Sequence, residues 1–495
     1  MRFTKPLDVL LKESKESGEG TLKRTLTSFN LVALGIGAII GAGLFSLTGL
    51  AAANNAGPAV TYSFIIGAVG CAFAGLCYAE FASMIPIAGS AYTYSYATMG
   101  EFMAWIIGWD LVLEYALGAA TVSISWSQYL VKFLHYFDVV IPPQFTMSPW
   151  ETATLADGSV VSGYMNLPAV FIIVCLSLLL IRGTRESAFI NNMLVILKVA
   201  VVLVFIVVGW SHIVPANHEP FVPPNTGTFG EFGWSGVLRG AGVVFFAFIG
   251  FDAVSTAAQE AKNPEKGMPI GIIGSLLVCT VLYVLFSYVM TGLANYTEFK
   301  ESAAPVAVAI AKTPYAWLQE SIIVAILAGY TSVILVMLMG QSRIFYTMSK
   351  DGLVPKTFSH VHKKFQTPYK ANILFMIFVS LFSAFVPVRV VGEMVSIGTL
   401  FAFVLVCAGV MVMRKADPVT PRPFRTPWVP FTPIMGILIC MTMMISLPLD
   451  TWIRLGGWML LGLVIYFAYG KKHSVIRNQQ AAVAPTDPPS DYQQK

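Results

Sequence analysis

The sequence predicts an all-α membrane protein with twelve transmembrane helices, and three observations carry that prediction. Of 495 residues, 56% are apolar and 12% charged, with mean hydropathy +0.71, a composition no soluble globular domain of this length sustains. Apolar stretches long enough to cross about 30 Å of hydrocarbon recur along the whole chain. One of them, from near Leu31 to near Asn54, contains GIGAIIGAGLF (Gly35 to Phe45) and carries Gly41, Ala42 and Gly43 at its midpoint, where helix propensity is poorest and backbones approach most closely.

The first span covers 30–54 and is expected to break at Gly41-Ala42-Gly43. Such a break leaves N–H and C=O groups unpaired, which is tolerated in a membrane only where protein or ligand satisfies them. It points to a transporter's binding site. Spans at 59–84 and 100–130 follow, then an external stretch around 137–164 with Pro142, Pro143 and Pro149, then spans at 165–181 and 187–210. The sixth, 235–257, is expected to be interrupted near Ala247-Phe248-Ile249-Gly250, at a depth similar to the first. Breaks five spans apart place the second copy in opposite orientation, as in inverted-repeat transporters. Spans at 269–294, 316–346, 371–387, 391–413, 431–448 and 450–470 complete the set. The domain reading is a cytoplasmic N-terminal segment 1–29, a transmembrane domain 30–470, and a Pro-rich, polar tail 471–495 expected to be disordered.

With an even number of spans both ends share one side, and twenty-four lysines and arginines then fall on that side against five on the other. Both termini are therefore expected to be cytoplasmic in a cell's plasma membrane. Facing anionic lipid accounts for the net charge of +5, so no nucleic-acid partner is implied. The polar first thirty residues give no cleaved signal peptide. The six cysteines lie within spans without paired or metal-ligand spacing and read as reduced packing residues. No phosphate-cradling loop or H-E-x-x-H motif is present, and the six histidines lie in loops or at span ends, so an enzyme is not expected.

Lys198 lies about eleven residues from either end of the fifth span, roughly 16 Å from each interface and beyond a snorkelling lysine's reach. A permanent ammonium there is costly, and a group that can yield and regain a proton suits a proton carrier; the alternative is a lysine paired for structure alone. Glu114 is the second midplane charge. Facing the cavity it pairs a substrate cation; facing a neighbour it anchors packing or partners Lys198. Asp110, one turn earlier, is expected at a wetter depth, while Glu80, Glu393 and Asp252 read as helix caps or loop anchors. Phe245, Phe246, Phe248 and Phe251 flank the second break and serve as packing or as a gate. Ser321, Gly329, Thr331 and Ser332 are helix-packing small residues or pocket lining.

These residues resemble the amino acid–polyamine–organocation superfamily, and within it the bacterial type of cationic amino acid transporter. The likeness rests on GIGAIIGAGLF, YAEFASMIPIAGSAYTY (Tyr78 to Tyr94), GWDLVLEYALG (Gly108 to Gly118), FFAFIGFDAVSTAAQEAKNPEKGMPIGI (Phe245 to Ile272), RIFYTMSKDGLVP (Arg343 to Pro355), and VSIGTLFAFVLV with the following RPFRTP. It implies a LeuT-like fold of two inverted five-helix repeats plus two helices, with broken first and sixth spans. It further implies that the substrate carboxylate meets the amides of Ala42 and Gly43 beside Gly41. The amine would meet carbonyls of Ile39, Ile40, Phe246, Ala247 and Ile249; Ser321 is read, apart from the likeness, as a substrate-pocket residue. Proton-coupled relatives resemble this chain in a fifth-span lysine that stands in for sodium, here Lys198 on first-span carbonyls near Gly41. The animal cationic transporters carry additional spans that this chain lacks, so arginine or lysine does not follow as substrate from the likeness.

The reading that follows is a proton-coupled importer of cationic or small neutral L-amino acids, gated by Phe246 or Phe251, needing no cofactor beyond a proton gradient. Its partners are the amino acid and the bilayer, with a monomer or a small membrane-protein partner both open. Rivals are an amino acid or polyamine exchanger and an amino acid sensor that binds without transporting.

Overall fold

A computed structural model describes residues 3–6, 26–85, 87, 89–155, 158–182, 187–258, 261–300, 302, 304–362, 365 and 367–483. Segment 7–25 of the expected N-terminal region and the tail 484–495 lie outside the described residues, as do Pro86, Ala88, Arg185, Lys363 and Lys364.

Helix α1 (Ser28–Ile39) starts at a capping box, in which Thr27 and Asn30 each accept the other's backbone amide. It ends where Ile40 turns extended, at φ −72° and ψ 104°. The chain restarts as a wide π turn, Gly43–Leu47, and runs on through Thr48–Ala51 and Ala52–Ala56, together the α1 extension. The expected first break is therefore present. After α2 (Val60–Met84) and the short α3 (Ser90–Thr98), α4 (Glu101–His135) contains a second π turn at Leu113–Leu117, around Glu114. The external stretch folds a hairpin, β1 (Thr152–Thr154) against β2 (Val160–Ser162), with Ala153 opposite Val161.

Next come α5 (Leu167–Arg182), α6 (Ser187–Trp210) and α7 (Gly233–Val244). Here the second expected break appears: a 3₁₀ turn at Phe245–Phe248, extended Ile249, and Gly250 at φ +113° before the single turn α8 (Ala253–Thr256). Only glycine adopts that φ without strain. The remaining helices are α9 (Pro264–Leu293), α10 (Pro305–Ile310), α11 (Ala316–Lys350), α12 (Tyr369–Phe385), α13 (Val388–Ala416), α14 (Phe431–Ser446), α15 (Leu449–Ile465) and α16 (Val475–Val483). Among the described residues, eight stretches are long and apolar enough to cross a membrane, the first of which, Ser28–Met84, holds two of the predicted spans; α5, α12 and α14 are shorter apolar helices.

Two clusters form. α1, α2, α7 and α9 pack on one another, α4, α5, α11 and α12 make the second group, and α6 and α13 run between them. On the face that carries both chain ends, Phe3 and Lys5 bond the backbone of Glu101 and Tyr96, and Lys5 pairs with Asp351 at 3.2 Å. The expectation of a disordered tail from 471 is corrected for its first part. Lys471–His473 and α16 are helical, because Arg477 and Ser474 donate to the buried Glu101 carboxylate alongside Tyr466. Glu80 and Glu393 anchor as expected, Glu80 to Arg414 at 2.7 Å and to the Thr426 amide, Glu393 to Arg389, Arg454 and Thr451.

Candidate functional site

The two interruptions meet. A Cβ placed on Gly43 would lie 2.2 Å from Ala247 Cα, and one on Gly250 would lie 2.9 Å from the Ala38 carbonyl carbon, so glycine is required at both for the backbones to touch. The amides of Ala42 and Gly43 head the first turn of the α1 extension, where helix geometry leaves N–H groups without an intrahelical acceptor. They face the carbonyl-bearing end of α1 across one residue. Positive and negative helix ends thus oppose each other at one point, an arrangement suited to a zwitterion.

Lys198 completes the carbonyl end. The membrane stretch of α6 is only 33% buried, yet Lys198 is 1% exposed and turned inward. Its Nζ donates to Gly37 O at 2.7 Å and Ile40 O at 3.2 Å. Gly329 of α11 gives its stem room, since a Cβ there would stand 3.2 Å from Lys198 Cε. Glu114 is not its partner, so that alternative falls.

Tyr283 of α9 was not anticipated. Its hydroxyl reaches the carbonyls of both Ile39 and Ala247, at 2.9 Å each, and so joins the broken ends of α1 and α7. The Phe246 carbonyl accepts from the Ile249 amide at 3.2 Å. Of the carbonyls expected to meet an amine, Ile40 thus carries Lys198, Ile39 and Ala247 share Tyr283, and Phe246 serves its own turn. Each carbonyl oxygen retains a second lone pair. In sequence Tyr283 is one tyrosine inside VCTVLYVLFSY, with no local mark of its task.

Toward the chain-end side lie three buried carboxylates. Glu114 is buried beside Asp252, Asp110 and Thr399, within interaction distance of the Asp252 carboxyl and the Thr399 hydroxyl. Asp252 accepts from Tyr115 at 2.5 Å and makes no helix cap, which corrects the capping expectation: Asp252 itself has helical φ and ψ, and its side chain points across to α4. Asp110 is fully buried against Gly398 of α13, which corrects the wetter depth expected for it. Among the described residues the Tyr78 hydroxyl is buried without a partner. Together these groups form a buried polar wall. Among the described residues no group of His, Cys, Asp and Glu is placed to hold a metal ion.

The aromatics divide. Phe251 is wedged between Tyr78 and Phe403, at 5.5 and 4.9 Å between centroids, and Phe248 packs on Phe64 and Tyr283. Phe246 makes no such ring contact among the described residues and lies at the break itself. Ser321 is corrected: it is exposed near the far end of α11, with Oγ bonded to Trp317 O, and takes no part in the site. Thr331 and Ser332 likewise bond their own helix, at Leu327 and Gly329.

The family model described as amino acid permease matches residues 26–466. The chain is 47% identical over 461 residues to the branched-chain amino acid permease BcaP of Bacillus subtilis (strain 168), covering 92% of this chain and 95% of that protein. It is 42% identical over 472 residues to the methylthioribose transporter of the same organism, covering 95% and 98%. It is also 33% identical over 419 residues to cationic amino acid transporter 4 of Mus musculus, covering 84% of this chain and 64% of that one.

Proposed function

The chain belongs to the amino acid permease family, and from that premise we propose that it imports an L-α-amino acid across the plasma membrane, coupled to protons by alternating access. It is a multi-pass membrane permease and not an enzyme. The observation that carries the proposal is the Lys198 ammonium on the Gly37 and Ile40 carbonyls, beside the interruption of α1. Protonated, the lysine pins the end of α1 to α6; with the proton gone it loses the charge that makes those bonds strong, and α1 is free to move. Proton occupancy and helix position become one equilibrium, which is what coupling requires.

In this reading the substrate carboxylate takes the Ala42 and Gly43 amides, and its amine takes the remaining lone pairs on Ile39, Ile40, Ala247 and Ile249. Phe246 closes over it. Glu114, with Asp252 behind it, supplies acceptors for a cationic side chain, while the backbone half of the site also accepts small neutral amino acids. Twelve spans in a LeuT-like arrangement, both ends cytoplasmic under the positive-inside rule, and no cofactor belong to the same proposal. A second reading, a branched-chain neutral substrate, is favoured by the 47% identical relative of that name.

Uptake into vesicles under an imposed inward proton gradient without sodium tests the coupling; uptake that survives collapse of the gradient refutes it. A competition panel of alanine, lysine, arginine, leucine and the amide of the best ligand settles the rest. Leucine displacing the others moves the conclusion to the second reading. An amide equal in affinity to its amino acid sinks the carboxylate site, because unpaired donors there are worth about 10- to 100-fold.

A further inference from the structure

Past its interruption, α1 is tied to the other helix cluster by two phenols. Tyr129 of α4 donates to the Phe45 carbonyl at 2.7 Å, and Tyr330 of α11 meets Ser46 Oγ at 2.9 Å. Their rings stand edge to face, 5.6 Å apart at 88°, and neither side chain is exposed. Both contacts fall in the π turn Gly43–Leu47, whose wide backbone turns groups outward from the helix. Over the same segment lies α10: a Cβ on Gly49 would come within 2.3 Å of Pro305, and Val306 lies beside the Tyr129 phenol.

The placement of these bonds matters. Lys198 holds α1 on the chain-end side of its interruption, and the two phenols hold it on the opposite side. Tyr330 directly follows Gly329, which packs on the Lys198 stem, so one turn of α11 touches both holds. The helices that supply the hydroxyls, α4 and α11, are unbroken and belong to the second cluster.

We infer that Tyr129 and Tyr330 form the latch that keeps the pathway shut on the side opposite the chain ends, as positioning residues of the transport cycle and not as substrate ligands. The inference rests on alternating access as proposed above. Opening that side requires the α1 extension and α10 to part from α4 and α11. The two hydroxyl bonds must then break and reform in each cycle, while Lys198 answers to the proton. Phenylalanine at either position keeps the ring packing and removes the hydroxyl bond, which shifts the closed-to-open ratio by about five-fold, and both together shift it further than either alone.

The test is reaction of a cysteine introduced as Ala307→Cys, buried in α10 in the closed form, with a membrane-impermeant maleimide. The full-length protein is compared with Tyr129→Phe, Tyr330→Phe and both added, each against the same chain with Ala307 intact. Faster labelling in each single variant, faster still in the double, with uptake still sensitive to the proton gradient, is the expected result. Labelling at the parent rate in both single variants overturns the latch, and so does a lowered melting temperature without faster labelling, which marks a purely structural role. A failure of the proton-coupled reading would show as gradient-independent uptake in the unmodified chain and would leave the labelling comparison intact.

Discussion

Replacing Tyr283 with phenylalanine removes one hydroxyl that serves two carbonyls, Ile39 and Ala247, each at 2.9 Å. The ring remains, packed on Phe64 and Phe248, so the change is confined to hydrogen bonding. One O–H cannot satisfy both acceptors fully, so the net loss to the empty protein is one bond's worth, about 1 kcal/mol, in a place where orphaned carbonyls find no other donor. A bound amino acid changes the balance. Its ammonium brings three donors to the same carbonyls, so the loaded form is hurt less than the empty one. Tyr283→Phe should therefore lower the melting temperature of the empty protein, increase the further stabilisation given by saturating substrate, and tighten binding by about five-fold. Transport should slow, since a tighter loaded state and unjoined helix ends both oppose release. Thermal unfolding with and without substrate, together with competition binding, measures each term. Unchanged empty-state stability together with unchanged or weaker affinity would refute the idea that the phenol holds the amine site in the absence of substrate.

Lys198→Ala should leave substrate binding measurable and abolish accumulation driven by a proton gradient; accumulation that persists would make the lysine structural. Gly43→Ala puts a methyl 2.2 Å from Ala247 Cα, backbone that cannot yield, so binding should vanish while Gly456→Ala, which meets open space, leaves it intact. Affinity measurements on the two variants side by side decide this, and retained binding in Gly43→Ala would show that the breaks separate in the bound state. Glu114→Gln should weaken lysine and arginine far more than alanine, by the 1.5–3 kcal/mol or so of a charge-assisted bond, whereas an equal loss for all three would make Glu114 a packing residue.

How much of this was legible in the chain depends on whether the backbone or a side chain does the work. The first break was legible because glycines at mid-membrane depth have few other uses, and the second because Gly250 follows it. Lys198 was legible by depth alone. What escaped were side chains whose meaning lies in which helix they face. Tyr283 in an apolar run reads as packing until α9 is laid against α1 and α7. Tyr115 gave no hint that Asp252 would turn to it, and a lone carboxylate in the sixth span suggested a cap or loop anchor instead. Ser321 was drawn in by its small-residue company in α11, yet it lies eight residues from Gly329, about 12 Å along the axis, on the wrong level for the site. The tail failed differently: its composition is that of a disordered segment, but one arginine, Arg477, finds the buried Glu101.

The buried carboxylates and the phenols suggest why those side chains are arranged as they are. On the proposed reading, recognition through backbone would fix the ammonium and carboxylate of any α-amino acid, and it costs the protein unpaired amides and carbonyls at the most crowded point of the fold. In the empty protein the carbonyl half of those groups already has donors. Lys198 and Tyr283 supply donors to the carbonyl half at 2.7 to 3.2 Å, while among the described residues no comparable acceptor bonds the Ala42 and Gly43 amides. The empty site is thus half-filled and electrostatically uneven. A ligand with a free carboxylate gains most, because it alone meets the half that the protein leaves open, and a ligand offering only an amine competes with donors already in place. Discrimination for amino acids over simple amines then follows from which half of the site the protein has filled with its own side chains.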